Sequence, residues 1–151
     1  MSIYNDPSPL PSAPSAKRLA ARSFLLPVEV SPPQSLARLL AVQEPSAAFS
    51  AAGFALVDTG ASCCCVEESV LRRLRLQPVS QAEVRSPNGP QLQSVFVARF
   101  RFPGAVIPPL ERPVVGVQMG DDETIALIGR DFLLQCLLVY NGSLGSCSLA
   151  F

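Results

Sequence analysis

Apolar positions along the chain come in short runs fenced by proline, glycine and asparagine, a rhythm that predicts strands rather than long helices. Residues 24–30 (FLLPVEV) predict a first strand, with Pro27 favouring an edge position because proline has no N–H to give a neighbour. The run FALVD at 54–58 is apolar and ends in a turn, which predicts a buried strand. Residues 66–76 (VEESVLRRLRL) change period: Val66, Val70 and Leu74 recur on one face with Leu71 beside them, which predicts a helix. Glu67 and Glu68 open it, and Arg72, Arg73 and Arg75 close it, an order that complements the helix dipole. Those arginines read as a solvated helix end rather than a phosphate site, and no usual capping residue stands directly before Glu67.

The second half is more regular. Residues 82–102 predict a long hairpin turning at Pro87-Asn88-Gly89, with Val95 and Val97 alternating and Arg99 and Arg101 set between phenylalanines. Further strands are expected at 111–119 and at 125–129 (IALIG), a short helix at 130–136, and a closing hairpin around Asn141-Gly142. Between the first two strands, 31–52 is a long connection in which SLARLLAV could form a turn or two of helix. Residues 1–22 are rich in Pro, Ser and Ala without periodicity, and are expected to be a disordered tail ahead of one domain at 23–151. The class is all-β with one or two short helices.

Composition narrows the chemistry. The chain of 151 residues is 48% hydrophobic, enough for one domain with a real core. Twelve basic and twelve acidic residues cancel, so no electrostatic footprint for nucleic acid or an anionic membrane is visible. No stretch reads as membrane-spanning, the start lacks the apolar core of a signal peptide, and the expected location is cytoplasmic. There is no histidine. Ser-His-Asp and Cys-His catalysis and histidine metal sites are therefore excluded within this chain, and acid–base work falls to carboxylates, lysine, tyrosine or thiols. Of five cysteines, Cys63, Cys64 and Cys65 are consecutive and Cys136 and Cys147 stand alone. That is neither a disulfide framework nor paired zinc-ligand spacing, so no metal and no cofactor is expected.

One residue stands out. Asp58 ends an apolar strand, so its carboxylate emerges from a low-dielectric setting. Thr59 and Gly60 follow: a hydroxyl that can fix a turn, then a backbone that something can approach closely. About seventy residues on, Leu127-Ile128-Gly129 repeats the apolar-apolar-glycine pattern and runs into Arg130-Asp131. The combination of LVDTGAS, a flap-like hairpin and LIGRD, with a helix after the DTG turn and a closing Y-N-G hairpin, resembles the retropepsin-like aspartic proteases, in particular their bacterial and cellular branch. The resemblance covers about residues 24 to 151.

It implies a closed acid-protease barrel, a single lobe that becomes active as a two-fold homodimer, acting on polypeptide without a cofactor. Two carboxyls a few ångströms apart share one proton; the ionised partner activates water and the protonated one hydrogen-bonds the substrate carbonyl. Such a pair titrates as a unit, so activity should be bell-shaped in pH and favour acid. With one DTG, the second carboxylate must come from a second chain. The resemblance assigns Asp58, Thr59 and Gly60 to catalysis, Thr59 locking the two turns together across the axis. It places Ala61, Ser62, Asn88, Gly89, Ile128 and Gly129 around the substrate: Gly60 and Ala61 lining the cleft, Gly60 by its carbonyl, Gly129 backing the turn and Asn88-Gly89 at the flap tip. The terminal strand SCSLAF is expected at the dimer interface.

The chain departs from the retroviral pattern in two places. The acidic residues that follow DTGA there are replaced by Ser62 and Cys63, so Arg130 needs another partner, and the flap reads SPNGP rather than glycine-rich. Two other readings stand beside the protease. One is a catalytically silent dimeric peptide-binding or structural module of the same fold. The other is a thiol-based redox or metal module on Cys63–Cys65, with Cys63 or Cys65 expected to face the core.

Overall fold

Every second residue of the first strand of the barrel points inward: Leu26, Val28 and Val30 are buried while their neighbours are partly exposed. That alternation recurs around a closed sheet. The architecture comes from a computed structural model, which describes residues 24–86, 89–120, 123–142 and 146–151, and the main chain of 3–5. The strands are β1 (Ile3–Asn5), β2 (Leu25–Ser31), β3 (Ala51–Val57), β4 (Cys65–Glu67), β5 (Ser80–Ser86), β6 (Gly89–Arg101), β7 (Leu110–Val117), β8 (Thr124–Ile128), β9 (Leu137–Asn141) and β10 (Ser146–Ala150). The helices are α1 (Gln34–Gln43), α2 (Glu68–Arg73) and α3 (Arg130–Leu133).

Strands run β2-β3-β8-β4-β7-β6, and β2 pairs with β6 again through Glu29↔Arg101, Val30↔Phe100 and Ser31↔Arg99. Six strands thus close into a barrel, and the Glu29–Arg101 ion pair lies across the seam. Two pairings are parallel, β3 with β8 and β4 with β7. β5 hangs on β6 alone and forms a hairpin that leaves the barrel. Pro27 sits before the β2–β6 pairing begins, where the missing N–H has no ladder to break. Outside the barrel, β1, β10 and β9 form a three-stranded sheet.

Several expectations change. The inward face of β6 carries Phe96, Ala98 and Phe100, while Val95 and Val97 share the outer side with Arg99. Aromatic bulk, not β-branching, fills the barrel there. The expected helix at 66–76 begins two residues late, because Cys65–Glu67 pair with β7 and β8 first. Glu67 then caps α2 itself, its carboxylate accepting from Ser69 N at 3.3 Å and from Met119 N at 2.7 Å. Arg75, at φ 59°, ends the helical turn. Within the segment expected to be a disordered tail, Ile3–Asn5 pair with β10; residues 1, 2 and 6–22 lie outside the described residues. β10 pairs with β1 along Ser148–Ala150 on one side and with β9 on the other. Among the described residues, no helix is long and apolar enough to cross a membrane.

Candidate active site

The parallel pair β3–β8 delivers two turns to the same end of the barrel. Leu56 stands beside Leu127 and Val57 beside Ile128, so Asp58 and Gly129 leave the sheet together. Asp58 N donates to Ile128 O at 3.0 Å, which ties the turn to β8 at its first residue. The turn then closes on itself: Gly60 N donates to Asp58 Oδ1 at 2.8 Å, and Ala61 N to Asp58 O at 3.3 Å. A backbone N–H on one carboxylate oxygen fixes the side-chain rotamer of Asp58.

From the other side, the α3 segment grips the same loop. Arg130 N donates to Ala61 O at 3.0 Å and Asp131 N to Ser62 O at 3.3 Å. The Arg130 guanidinium is the partner that the sequence left open. Its Nη1 donates to Thr59 O and to Gly60 O, both at 2.9 Å. Arginine thus pairs with two main-chain carbonyls where the retroviral pattern would offer it a carboxylate. A carbonyl oxygen has two acceptor positions, so Gly60 O keeps one for another donor. Gly129 is required by space: a Cβ there would stand 2.4 Å from Cys63 O and 2.5 Å from its carbonyl carbon.

Seven of the predicted residues therefore form one assembly. Asp58 and Ala61 are half-buried, Thr59, Gly60 and Ser62 exposed, and Ile128 and Gly129 buried beneath them. Ile128 is fully buried, so it serves the turn through its carbonyl while its side chain packs in the core. Gly89 sits apart, opposite Ser86 at the end of the β5–β6 hairpin. Asn88 lies outside the described residues.

A second network behind the turn was not foreseen. Asp131 Oδ1 accepts from Phe132 N at 2.9 Å and from Cys64 Sγ at 3.1 Å, and its Oδ2 lies 3.2 Å from Arg112 Nη2. Arg112 also lies over the Phe132 ring. The sequence held one sign of this, an aspartate beside Arg130, but the pairing joins β7 to α3 and needs the fold to be seen. Burial, then the hydrogen bond to Asp131, pushes the Cys64 thiol up to about 12. Burial, then the neighbouring Cys63 thiol and the charges of Asp131 and Asp58, pushes Cys65 up to about 12. Cys64 and Cys65 are buried and Cys63 is half-buried, so of the two expected to face the core Cys65 does, with Cys64 beside it. All five cysteines are free thiols.

A cavity of about 260 Å³ lined by Leu110, Arg112, Phe132, Cys136 and Phe151 shares Arg112 and Phe132 with that network and does not include Asp58. The groove between Glu67, Arg73, Gln118 and Ile125 does not include it either.

A sequence family described as aspartyl protease matches residues 52–132, the stretch from β3 through α3 that builds this end of the barrel. No curated protein matches the chain. Among solved structures, the chain is similar to the foamy viral protease-reverse transcriptase in complex with an RNA/DNA hybrid, at 20% identity and TM-score 0.49, covering 75% of this chain and 12% of that one. It is similar to the protease of simian foamy virus (mac), at 17% identity and TM-score 0.46, covering 74% and 92%. It is also similar to a retropepsin-like aspartic protease from Rickettsia conorii, at 12% identity and TM-score 0.44, covering 86% and 94%. The chain spans only 12% of the length of the first of these.

Proposed function

We propose, for a chain that belongs to the aspartyl protease family, that it hydrolyses peptide bonds as a homodimer in which Asp58 of each copy supplies one of two catalytic carboxylates. The observation that carries this reading is the state of the carboxylates at the Asp58 end. Asp58 is held in one orientation by Gly60 N, on an exposed turn, at the end of a single barrel. Asp131, the other carboxylate near the turn, is already committed to Phe132 N, Cys64 and Arg112. One chain therefore offers half of the pair the reaction needs, and a two-fold axis beside the exposed Asp58-Thr59-Gly60 turn supplies the other half.

In that dimer the two carboxyls share a proton, because both cannot ionise cheaply at close range. The ionised one takes a proton from water as it attacks the peptide carbonyl, and the protonated one donates to the carbonyl oxygen. Thr59 meets its twin across the axis, while Ala61, Ser62 and the second acceptor position of Gly60 O face the substrate backbone. The β5–β6 hairpin, with Asn88-Gly89 at its tip, covers the bound peptide and excludes water.

The test is a peptide library cleaved between about pH 3 and 8, the range over which such a pair titrates, with wild type beside Asp58→Asn. The expected outcome is acid-favoured cleavage that falls by about 10²-fold or more in the variant. Mixing the two proteins at varied ratio tests the shared pair directly. Cleavage should fall with the square of the wild-type fraction once subunits exchange. A linear fall would place the whole machinery within one chain, and a folded dimer that cleaves nothing would leave a peptide-binding module.

A further inference from the structure

The cysteine triplet is the one sequence motif that the proposed chemistry leaves unused, and its geometry is that of a pair. Cys63 and Cys65 stand two residues apart where the loop enters β4, which begins at Cys65. Cys65 Sγ lies 3.6 Å from Cys63 O. The Cys63 thiol and the charges of Asp131 and Asp58 are all felt at Cys65. Cys64 between them turns the other way, to Asp131. Cys63 is half-buried, so solvent reaches it, and Cys65 is buried behind it. An accessible thiol backed by a resolving thiol is the arrangement of a reversible oxidation site.

We propose that Cys63 and Cys65 form a dithiol modification site, oxidised to an intramolecular disulfide by low-molecular-weight disulfides such as oxidised glutathione, and that the bridge disables the Asp58 turn. The exchange balances. The Cys63 thiolate attacks one sulfur of the small disulfide, forming a mixed disulfide and releasing one thiolate. Cys65 then gives up its proton and attacks the Cys63 sulfur, releasing the second. Two protein thiols are oxidised by two electrons, one small disulfide is reduced to two thiols, and the two protons end on the released sulfurs.

The bridge reaches the turn because there is no slack between them. Drawing Cys65 Sγ towards Cys63 must move the Cys63 main chain, and that main chain is packed against Gly129 so closely that not even a methyl group fits. Gly129 lies between Ile128, whose carbonyl holds Asp58 N, and Arg130, whose guanidinium holds the Thr59 and Gly60 carbonyls. A shift of the Cys63 main chain is therefore passed to both supports of Asp58. A disulfide closing so small a loop is also strained, which makes it easily reduced and so reversible.

The loss of activity rests on the protease reading above; formation of the bridge does not. The full chain is equilibrated in glutathione buffers of rising oxidised fraction, unpaired thiols are alkylated in denaturant, and the cysteines are mapped by mass spectrometry. Cys63 and Cys65 should lose alkylation together, while Cys64, Cys136 and Cys147 keep it. Cys65→Ser should stop at a glutathione adduct on Cys63, and Cys63→Ser should form neither. Peptide cleavage should be lost as the bridge forms, return with dithiothreitol, and resist oxidation in Cys63→Ser. Amide hydrogen exchange at 58–61 and 128–131 should rise on oxidation, a readout that needs no cleavage. Full alkylation of Cys63 and Cys65 at every poise, or a bridge between other cysteines, overturns the site. A Cys63–Cys65 bridge that leaves both exchange and cleavage unchanged overturns its action on the turn. If the reduced protein cleaves nothing while the bridge forms and exchange rises, the protease reading fails and the dithiol site stands.

Discussion

The Asp58 end of the barrel and the β5–β6 hairpin, which the proposed reaction would use together, are built on opposite structural terms. Around Asp58, the 58–62 loop meets the β8–α3 segment some seventy residues away, and every main-chain carbonyl from 58 to 62 accepts a hydrogen bond from α3 or from within the turn. Across residues 81–94 of the hairpin, β5 and β6 pair only with each other. Gln81, Glu83, Arg85, Pro90, Gln91 and Leu92 are exposed there, and Leu92 keeps 66% of its surface in water. In the proposed reaction the braced end would hold the proton and the less supported hairpin would admit and cover the peptide, as expected of an element drawn from the low-stability end of a fold.

Glycine substitutions give the largest contrast. Gly129→Ala drives a Cβ to 2.4 Å from the Cys63 carbonyl oxygen, and backbone cannot move aside as a side-chain tip can. The expected loss is about 3 kcal/mol or more in urea unfolding. Gly89→Ala meets nothing within 4 Å and carries only the strain of φ +97°, a loss of about 1 kcal/mol. Equal losses would break the comparison.

Alkali should act on the tight end alone. Cys64 and Cys65 have folded-state values raised from 9.0 to about 12, chiefly by burial. A raised thiol favours the fold while it stays protonated in both states. That contribution is complete below about pH 9 and is lost as pH climbs towards about 12. Melting temperature followed across that window should fall, and Cys64→Ala should flatten the slope. Hydrogen exchange should show the 58–65 loop opening before the hairpin changes.

Arg130→Met removes both bonds to the Thr59 and Gly60 carbonyls. These carbonyls are exposed enough for water to replace the guanidinium, so about 1 kcal/mol is expected in urea. The same variant should cleave more slowly, because the turn loses its outer brace. Leu92→Gln on the hairpin should stay within about 0.5 kcal/mol, and a larger cost would mean that the hairpin is packed in solution.

What was legible in the sequence follows the same divide. The strand ending in Asp58 and the one ending in Gly129 could be read because each is a continuous apolar run closed by a turn. The hairpin was legible from its turn signal and alternation, and its register sets Ser86 opposite Gly89. Three details were hidden. Glu67 is an uncommon cap, and its carboxylate works there because Met119 N supplies it a second donor from across the sheet. Cys65–Glu67 form a strand only because β7 and β8 flank them, a tertiary decision that overrides the helical period. Arg130 and Arg112 look alike in sequence, each an arginine next to an acidic residue. Arg130 on α3 reaches carbonyls and Arg112 on β7 reaches the Asp131 carboxylate, a difference only the fold decides.

The parallel pairing of β3 with β8 also has a consequence in time. Val57 and Ile128 are neighbours in the sheet but lie about seventy residues apart along the chain. Bringing them together closes a long loop, and contacts of that kind form late and slowly. A chain emerging during synthesis exposes Asp58 well before it has made the strand whose carbonyl fixes it. Until β8 arrives, the aspartate is an ordinary solvated residue on an unfinished sheet. Order of synthesis thus leaves the Asp58 turn unsupported until β8 is made, a delay written into the topology.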